Sequence, residues 1–309
     1  MTATSTFEQD YAAATQHCGL LDRSQRGKLA LTGAGAKEFL NGQVSNDTTA
    51  LTPGHGQYAA LLTPKGKMLG DLRVLDAGEE LLLDTERVAL QELFNTIRRF
   101  SIGYDVELHK RTLESGLLSL IGPESDAVAG VAPPATEHDH LTAQIGGAEV
   151  RAIRTDVGID VLFAAGATDA VRGALLEAGA REIGEEAAEC VRIESGRPRY
   201  GVDLDDTVIP QEAGLNERAV SFTKGCYVGQ ETVARLFYRG KPNRELRGLK
   251  SPEPIAVGSE LSYEDRVVAT VTSAALSPRF GPVALALVRR EAPVGTKLGD
   301  IEVVALPFA

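Results

Sequence analysis

Apolar residues along the first 200 positions recur at two different spacings, which predict helices mixed with strands. Helical spacing appears in 86–100, with Asp84 or Thr85 as a possible N-cap, and again in 168–178 and 184–194. The short apolar runs that predict strands are 81–83, 117–121, 149–153 and 159–163. Because helices and strands do not alternate regularly, as they do in βαβ winding, the pattern favours an α+β fold.

The pattern changes after Lys241-Pro242-Asn243, where short alternating apolar runs begin. These runs are 246–249, 267–271, 283–288 and 301–306, and glycine and proline separate them. Short runs at such intervals are typical of a small antiparallel β-barrel. We therefore predict a C-terminal β-barrel domain over residues 241–309, preceded by a larger α+β region over residues 1–240.

Length and composition limit the protein class. A chain of 309 residues exceeds one typical core and predicts two or three domains. No run of about 18 apolar residues occurs, so we expect no membrane span. The cysteines Cys18, Cys190 and Cys226 are widely spaced and odd in number, which favours a reducing compartment over a disulfide framework. We expect a cytoplasmic protein.

Charge is distributed unevenly along the chain. The formal net charge of −11 argues against general nucleic-acid binding. Residues 218–250 nevertheless hold eight Lys and Arg against two Glu, a local balance of +6, whereas 182–217 has a balance of −7. The basic segment is either a solvated surface of mixed charge or a patch that attracts an anion such as a carboxylate tail or a phosphate backbone.

Cys226 lies within this basic segment, in the run Lys224-Gly225-Cys226-Tyr227-Val228-Gly229-Gln230-Glu231. Nearby cations favour thiolate over thiol, so Cys226 is a candidate nucleophile, redox sensor or transient metal ligand; the alternative is a buried structural thiol. The chain has no Cys-x-x-Cys, and its five histidines lie far upstream. We therefore predict no resident metal site.

Two other segments carry candidate chemistry. In the run 192–201, Glu194 follows Arg192, and its carboxylate either binds a ligand or forms an ion pair with Arg192 or Arg197. The run 40–73 contains an Asn46-Asp47 turn, then Tyr58 and Asp71. Tyr58 is either a ligand contact or an ordinary strand aromatic.

The octapeptide 224–231 resembles the signature of the folate-binding YgfZ family, which is related to the aminomethyltransferase (T-protein) of the glycine cleavage system. The runs 192–201 and 40–73 are similar to segments that both branches share, and weaker similarity extends from about residue 20 to the C-terminus. The resemblance implies a GcvT-like multidomain fold with mixed α/β N-terminal and central domains. Residues 1–240 would form a folate-binding region of two interleaved α+β subdomains.

The resemblance also implies tetrahydrofolate, or another folate, as the cofactor. In its terms Glu194 faces the pterin ring, and Arg192, Tyr58 and the basic segment assist. The implied folate-binding residues are Glu194, Arg192, Tyr58, Asp71, Asn46 and Arg235. The implied functional signature is Cys226 and Lys224 with Gly225, Tyr227, Gly229, Gln230 and Glu231.

Three functions follow as hypotheses. The YgfZ resemblance implies an accessory protein for iron–sulfur cluster assembly or repair, whose partners are iron–sulfur enzymes, including tRNA-modifying ones, or assembly proteins. The alternative is aminomethyl transfer to tetrahydrofolate. Aminomethyltransferases carry Asp-Asp-Leu where this chain has Gly70-Asp71-Leu72, and the run 154–161 is a reduced form of another of their motifs; both differences argue against that reaction. The third is a tRNA contact through 218–250.

Overall fold

The computed structural model describes residues 6–309, so the first five residues of the predicted region 1–240 lie outside the described residues. Its helices are α1 Thr6–Gln16, α2 Ala36–Gln43, α3 Leu90–Phe100, α4 Ser125–Ala129, α5 Thr168–Glu177, α6 Glu185–Glu194, α7 Asn216–Ala219 and α8 Gln230–Arg239. Its strands are β1 Gly19–Asp22, β2 Gly27–Thr32, β3 Gly56–Leu62, β4 Met68–Asp76, β5 Leu81–Thr85, β6 Glu107–Lys110, β7 Ser115–Ile121, β8 His140–Ile145, β9 Ala148–Arg154, β10 Gly158–Ala164, β11 Arg181–Glu182, β12 Arg244–Lys250, β13 Glu260–Tyr263, β14 Arg266–Ser277, β15 Gly281–Arg289, β16 Lys297–Leu298 and β17 Ile301–Val304.

Two sheets share the first part of the chain. The first sheet has the strand order β11-β1-β7-β10-β9-β8, and the second has the order β3-β4-β5-β2-β6. The chain therefore leaves the first sheet after β1, builds all of the second sheet, and returns to the first sheet at β7. Among the described strands of these sheets, neighbours pair antiparallel except β1 with β11.

Helices cover one face of each of these sheets. In the first sheet, Leu118 and Val161 pack with Val171 and Leu175 of α5. In the second sheet, a separate apolar cluster joins the strands to Phe39 of α2 and to α3. Segregated helices on mostly antiparallel sheets make an α+β fold, as the sequence pattern predicts.

The third sheet contains the C-terminal strands in the order β13-β14-β15-β12-β17-β16, and all of its pairs are antiparallel. Its first and last strands, β13 and β16, approach each other, so the sheet curls into a nearly closed, barrel-like form. The predicted boundary between residues 240 and 241 falls between α8 and β12. Helix α6 packs against β14 and β15 and so links this sheet to the rest of the molecule.

Within residues 6–309, no helix is both long enough and apolar enough to cross a membrane.

Candidate functional site

A cavity of about 230 Å³ is lined by residues of the first and second sheets and of α6. Strands β3 and β4 contribute Tyr58, Asp71 and Arg73, and strand β10 contributes Asp160. The loop before β8 adds Glu137 and His138, and the segment after α6 adds further polar groups. Polar side chains from three parts of the chain therefore converge on one concave, solvent-accessible space, which is the usual form of a small-molecule site.

Asp71 is the carboxyl group in this cavity whose pKa is raised towards neutrality. Its side chain is 5 % exposed, and its Oδ2 accepts a 2.5 Å hydrogen bond from the hydroxyl of Tyr58. Burial raises the pKa of Asp71 to about 6, although the hydrogen bond from Tyr58 acts in the opposite direction. Burial, together with the charge of Asp71, also raises the pKa of Tyr58 well above its usual value. A carboxyl group that titrates near neutrality can both take and give a proton.

Strand geometry determines which carboxylate of the Asp-Asp-Leu pattern this chain retains. Successive residues of a strand point to opposite faces. A Cβ atom added to Gly70 would lie 2.9 Å from the Cβ of Ala89, just before α3, and Leu72 lies in the core of the second sheet. Position 70 therefore faces α3, whereas Asp71 faces the cavity. The substitution of glycine at position 70 leaves the cavity-facing carboxylate in place.

A buried ion network lies beside Asp71 and joins the two sheets. Arg73 of β4 donates to Asp84 of β5 over 2.8 Å and to Asp160 of β10 over 2.6 Å. Arg26 donates to the other oxygen of Asp84, and Ser119 donates to Asp160. Burial alone would raise the pKa of Asp84, but the two guanidinium groups outweigh it and lower the pKa to about 2. Through Arg73 the network links β4 of the second sheet to β10 of the first sheet beside the cavity.

Glu194, which the resemblance places against the pterin, does not line this cavity. Its carboxylate accepts hydrogen bonds from the hydroxyls of Tyr11 (2.8 Å) and Ser277 (2.5 Å) and lies 3.5 Å from the Sγ of Cys190. Neither Arg192 nor Arg197 pairs with it; Arg197 pairs with Asp156 and Glu137 instead. The side chain thus joins α1 and α6 to β14.

Arg192 lines the cavity, but its five N–H donors are all used within the protein. It donates to Glu189, to Asp203, to the carbonyl of Arg197 and to Ser273. Asn46 lies outside the cavity lining, and its amide donates to the carbonyls of Tyr58 and Arg218. Arg192 and Asn46 therefore support the walls of the cavity. Of the six implied folate-binding residues, the structure brings only Tyr58, Asp71 and Arg192 together in the cavity lining.

Lys224 is committed to the backbone. Its Nζ donates to the carbonyls of Asn41 (2.5 Å), Val44 (2.8 Å) and Asn46 (2.8 Å) at the end of α2. Burial lowers the pKa of Lys224 to about 8. Because an ammonium has three donors and all three are used, the lysine anchors the loop and has no donor left for the thiolate of Cys226.

The rest of the signature holds Cys226 on the surface. Tyr227 is 8 % exposed and packs in an apolar cluster. Gly229 has φ +86°, and a Cβ atom there would lie 2.5 Å from the carbonyl oxygen of Thr63, so only glycine fits. Between these two anchors and Lys224, the side chain of Cys226 is exposed, whereas Cys18 and Cys190 are buried. The loop presents this thiol outside the cavity.

Helix α8 follows this loop and begins with Gln230 and Glu231. Arg235 lies on its exposed side and forms no ion pair with the described residues. Two further exposed residues, Phe237 and Tyr238, form an aromatic cluster with Phe222: the rings of Phe222 and Phe237 stack at 3.8 Å. Sequence spacing did not indicate this cluster, because its members come from two separate segments.

Several cavity residues were not predicted from the sequence. They are Arg73, Glu137, His138, Asp160, Tyr200 and Arg218. Asp160 gave a usable signal, since it is the one charged residue within the apolar run 159–163. The other cavity residues lie in segments without a periodic apolar pattern, or near an aspartate that is the more obvious candidate for chemistry.

Comparison with known proteins extends these observations to the whole chain. Residues 1–224 match the GCVT N-terminal domain family. The chain belongs to this family. It is 31% identical to an aminomethyltransferase from Synechococcus sp., with 94% of this chain and 84% of the relative covered. It is 29% identical to an aminomethyltransferase from Rubrobacter xylanophilus, with 98% and 86% covered.

A solved structure agrees with this family assignment. The crystal structure of glycine cleavage system aminomethyltransferase T from Bartonella henselae superimposes with a TM-score of 0.87 at 25% identity. The match covers 98% of this chain and 89% of that protein. The GcvT-like fold expected from the sequence is therefore confirmed, including the barrel-like C-terminal sheet.

Proposed function

We propose that this protein binds tetrahydrofolate in the cavity and transfers a one-carbon unit to it, as an aminomethyltransferase does. The observation that carries the proposal is Asp71, a buried carboxyl group that faces the cavity and has a pKa of about 6. The names of the similar proteins support the same reaction class. The sequence alone favoured the accessory role over aminomethyl transfer, because one carboxylate of the Asp-Asp-Leu pattern is missing at position 70. We now favour transfer, since position 70 does not face the cavity.

In this reaction an aminomethyl group on a carrier sulfur gives its methylene to two nitrogens of tetrahydrofolate. Two C–N bonds form, the C–S and C–N bonds of the aminomethyl group break, and a thiol and ammonia leave. The two N–H protons of the folate supply the protons that the thiol and the ammonia gain. Asp71 accepts a proton from the attacking nitrogen and returns it to a leaving group. The hydroxyl of Tyr58 orients the carboxyl group of Asp71 through the 2.5 Å hydrogen bond.

Titration of the protein with tetrahydrofolate in a calorimeter tests the binding half of this proposal. We expect saturable binding at one site per chain, and competition by a non-reducible folate analogue. Release of ammonia from an aminomethyl-loaded lipoyl carrier protein, dependent on tetrahydrofolate, tests the transfer half. Binding without ammonia release would exclude the transfer reaction and leave only folate binding. Absence of binding would exclude both folate binding and transfer.

A second candidate is an accessory role of the YgfZ type, in which Cys226 acts on iron–sulfur enzymes or assembly proteins. The observation that favours it is the fixed, exposed position of Cys226 between three anchored residues. The aromatic cluster of Phe222, Phe237 and Tyr238, whose members come from the chain segments on either side of Cys226, offers a surface for a partner protein, since aromatic residues dominate contact energy at interfaces.

Replacement of Cys226 with alanine separates the two candidates. Because the side chain is exposed, we expect the free energy of unfolding to change by less than about 0.5 kcal/mol and the tetrahydrofolate affinity to stay the same. The transfer reaction predicts that ammonia release persists in Cys226→Ala, whereas the accessory role predicts that the activity of iron–sulfur enzymes falls in cells that depend on this protein. Cys226→Ser, which keeps the size of the exposed side chain and removes only the thiol, is the matched control. Loss of ammonia release in Cys226→Ala would place the thiol in the transfer reaction instead.

The tRNA contact proposed for 218–250 relies on cations such as Arg235, Arg239 and Lys241, which are exposed and form no ion pair with residues 6–309. Binding to tRNA through them should weaken steeply as salt increases. A salt-independent response would exclude this contact.

A further inference from the structure

Arg23 and Arg199 both line the cavity, and both donate to one carboxylate oxygen. Arg23 follows β1, and Arg199 lies in the segment after α6. Nη1 of Arg23 donates to Oε1 of Glu185 over 2.8 Å, and Nη2 of Arg199 donates to the same oxygen over 2.6 Å. Glu185 begins α6 and is not itself part of the cavity lining. The two guanidinium groups therefore converge at the rim of the cavity from two separate segments.

The carboxylate of Glu185 is easier to displace than the others that pair with arginines of the cavity lining. Its side chain is 48 % exposed, whereas none of the other such carboxylates within residues 6–309 exceeds 28 %. A half-exposed carboxylate regains most of its hydration when it is released, so an ion pair of this kind contributes little to stability. Buried Asp84, which holds Arg26 and Arg73, is far more costly to release. Glu185 can thus give way to another carboxylate.

The two arginines keep enough donors for a ligand. A guanidinium group has five N–H donors, and among the described residues the side chain of Arg23 uses one of them, on Glu185. Arg199 also pairs with Glu189 over 2.8 Å, so its guanidinium stays in place when Glu185 moves away. The side chains of Arg23 and Arg199 are 16 % and 19 % exposed, so solvent reaches both. Together they can bind both oxygens of a carboxylate.

We propose that Arg23 and Arg199 bind a carboxylate of the ligand at this rim, and that Glu185 holds their site until the ligand replaces it. The inference rests on the proposed function, because tetrahydrofolate supplies the carboxylates: its glutamate tail carries two, at the end of the molecule opposite the pterin. The rim suits this tail, since its charges stay partly hydrated there. Because Glu185 must first be displaced, a small anion that makes no other contact with the cavity binds weakly, and the site selects folates with a charged tail.

Two ligands test the proposal: tetrahydrofolate and its diamide, in which both glutamate carboxyl groups are neutral amides of the same shape. We expect wild type to bind tetrahydrofolate about tenfold more tightly than the diamide, the effect of charge-assisted hydrogen bonds at a partly exposed site. Arg23→Gln and Arg199→Gln should lose this preference, because they bind tetrahydrofolate more weakly and the diamide as wild type does. Glu185→Gln should bind tetrahydrofolate about threefold more tightly, since a neutral amide competes less for the two arginines.

Arg172→Gln is the matched control, because Arg172 also pairs with two carboxylates but lies outside the cavity lining. It should bind both ligands as wild type does, and urea unfolding without ligand shows whether each variant is folded. Equal affinities of wild type for the two ligands, or equal weakening of both in Arg23→Gln, would overturn the inference and leave the proposed function intact. Unchanged affinity in Glu185→Gln would overturn the exchange with Glu185. Absence of tetrahydrofolate binding in the wild type would overturn the proposed function and this inference together.

Discussion

Replacement of Asp71 with asparagine is expected to lower the rate of one-carbon transfer by about 10²–10⁴-fold, the usual contribution of a general acid or base. Asparagine has the shape of aspartate and can still accept the hydrogen bond from Tyr58, but it cannot move a proton. The affinity for tetrahydrofolate should therefore change by only a few fold. Ammonia release at saturating tetrahydrofolate measures the rate, and calorimetric titration measures the affinity.

The pH dependence of the rate gives this prediction a second measurement. Because the pKa of Asp71 is about 6, the wild-type rate should rise as pH increases through 6 and the carboxyl group ionises. This limb should be absent from the profile of Asp71→Asn. A wild-type rate that is flat between pH 5 and 7, or an asparagine variant of undiminished rate, would contradict a proton-transfer role for Asp71.

Stability provides the control for this variant. The folded-state pKa of Asp71 lies above its unfolded value of about 3.9, so the stability that this group contributes is present at low pH and is lost as pH rises through 6. Asparagine carries no charge to bury, so Asp71→Asn should be at least as stable as wild type at pH 8. A loss of rate in a stable variant can then be assigned to chemistry.

Replacement of Arg73 with leucine is expected to cost about 3–5 kcal/mol of folding free energy. Arg73 is 7 % exposed and is the cation between Asp84 and Asp160. Removing it leaves Asp160 with a buried charge and, within residues 6–309, only Ser119 as a side-chain hydrogen-bond donor, which is far more costly than the loss of the ion pair itself. Urea unfolding measured by circular dichroism gives the difference in free energy.

Two comparison variants show whether the buried charge is the cause. Asp160→Asn in the Arg73→Leu background removes the uncompensated charge and should recover part of the loss. Arg172→Leu removes a half-exposed arginine that pairs with Asp22 and Glu182, and it should cost less than about 1 kcal/mol. Equal costs for Arg73→Leu and Arg172→Leu would contradict the account.

The periodic segments of the sequence predicted the elements that bury one face. The runs 159–163 and 184–194 correspond to β10 and α6 within one residue at each end. The run 86–100 correctly predicts a helix, but α3 begins only at Leu90 because Asp84 and Thr85, the expected caps, belong to β5. There Asp84 accepts from two arginines, and Thr85 donates to the carbonyl of Asp71.

The site was less predictable than the fold, for a physical reason. The local sequence around a charged residue looks the same whether its side chain faces a cavity or forms a contact inside the protein. Glu194 and Lys224 both lie in well-marked motifs, yet their polar atoms are used by Tyr11, Ser277 and backbone carbonyls. Their partners are about 80 to 180 residues away along the chain, so no local pattern could identify them.

The return of the chain to its first sheet has a consequence for synthesis on the ribosome. Strand β1 ends at Asp22, but its antiparallel partner β7 ends at Ile121, so about 100 residues must be made before the two can pair. At about 5–20 residues per second, β1 waits roughly 5–20 s as an unpaired strand. All strands of the second sheet are complete in that interval. The nascent chain therefore carries an open strand edge beside a finished second sheet, and a chaperone that covers residues 19–22 would act on this protein before its first and third sheets exist.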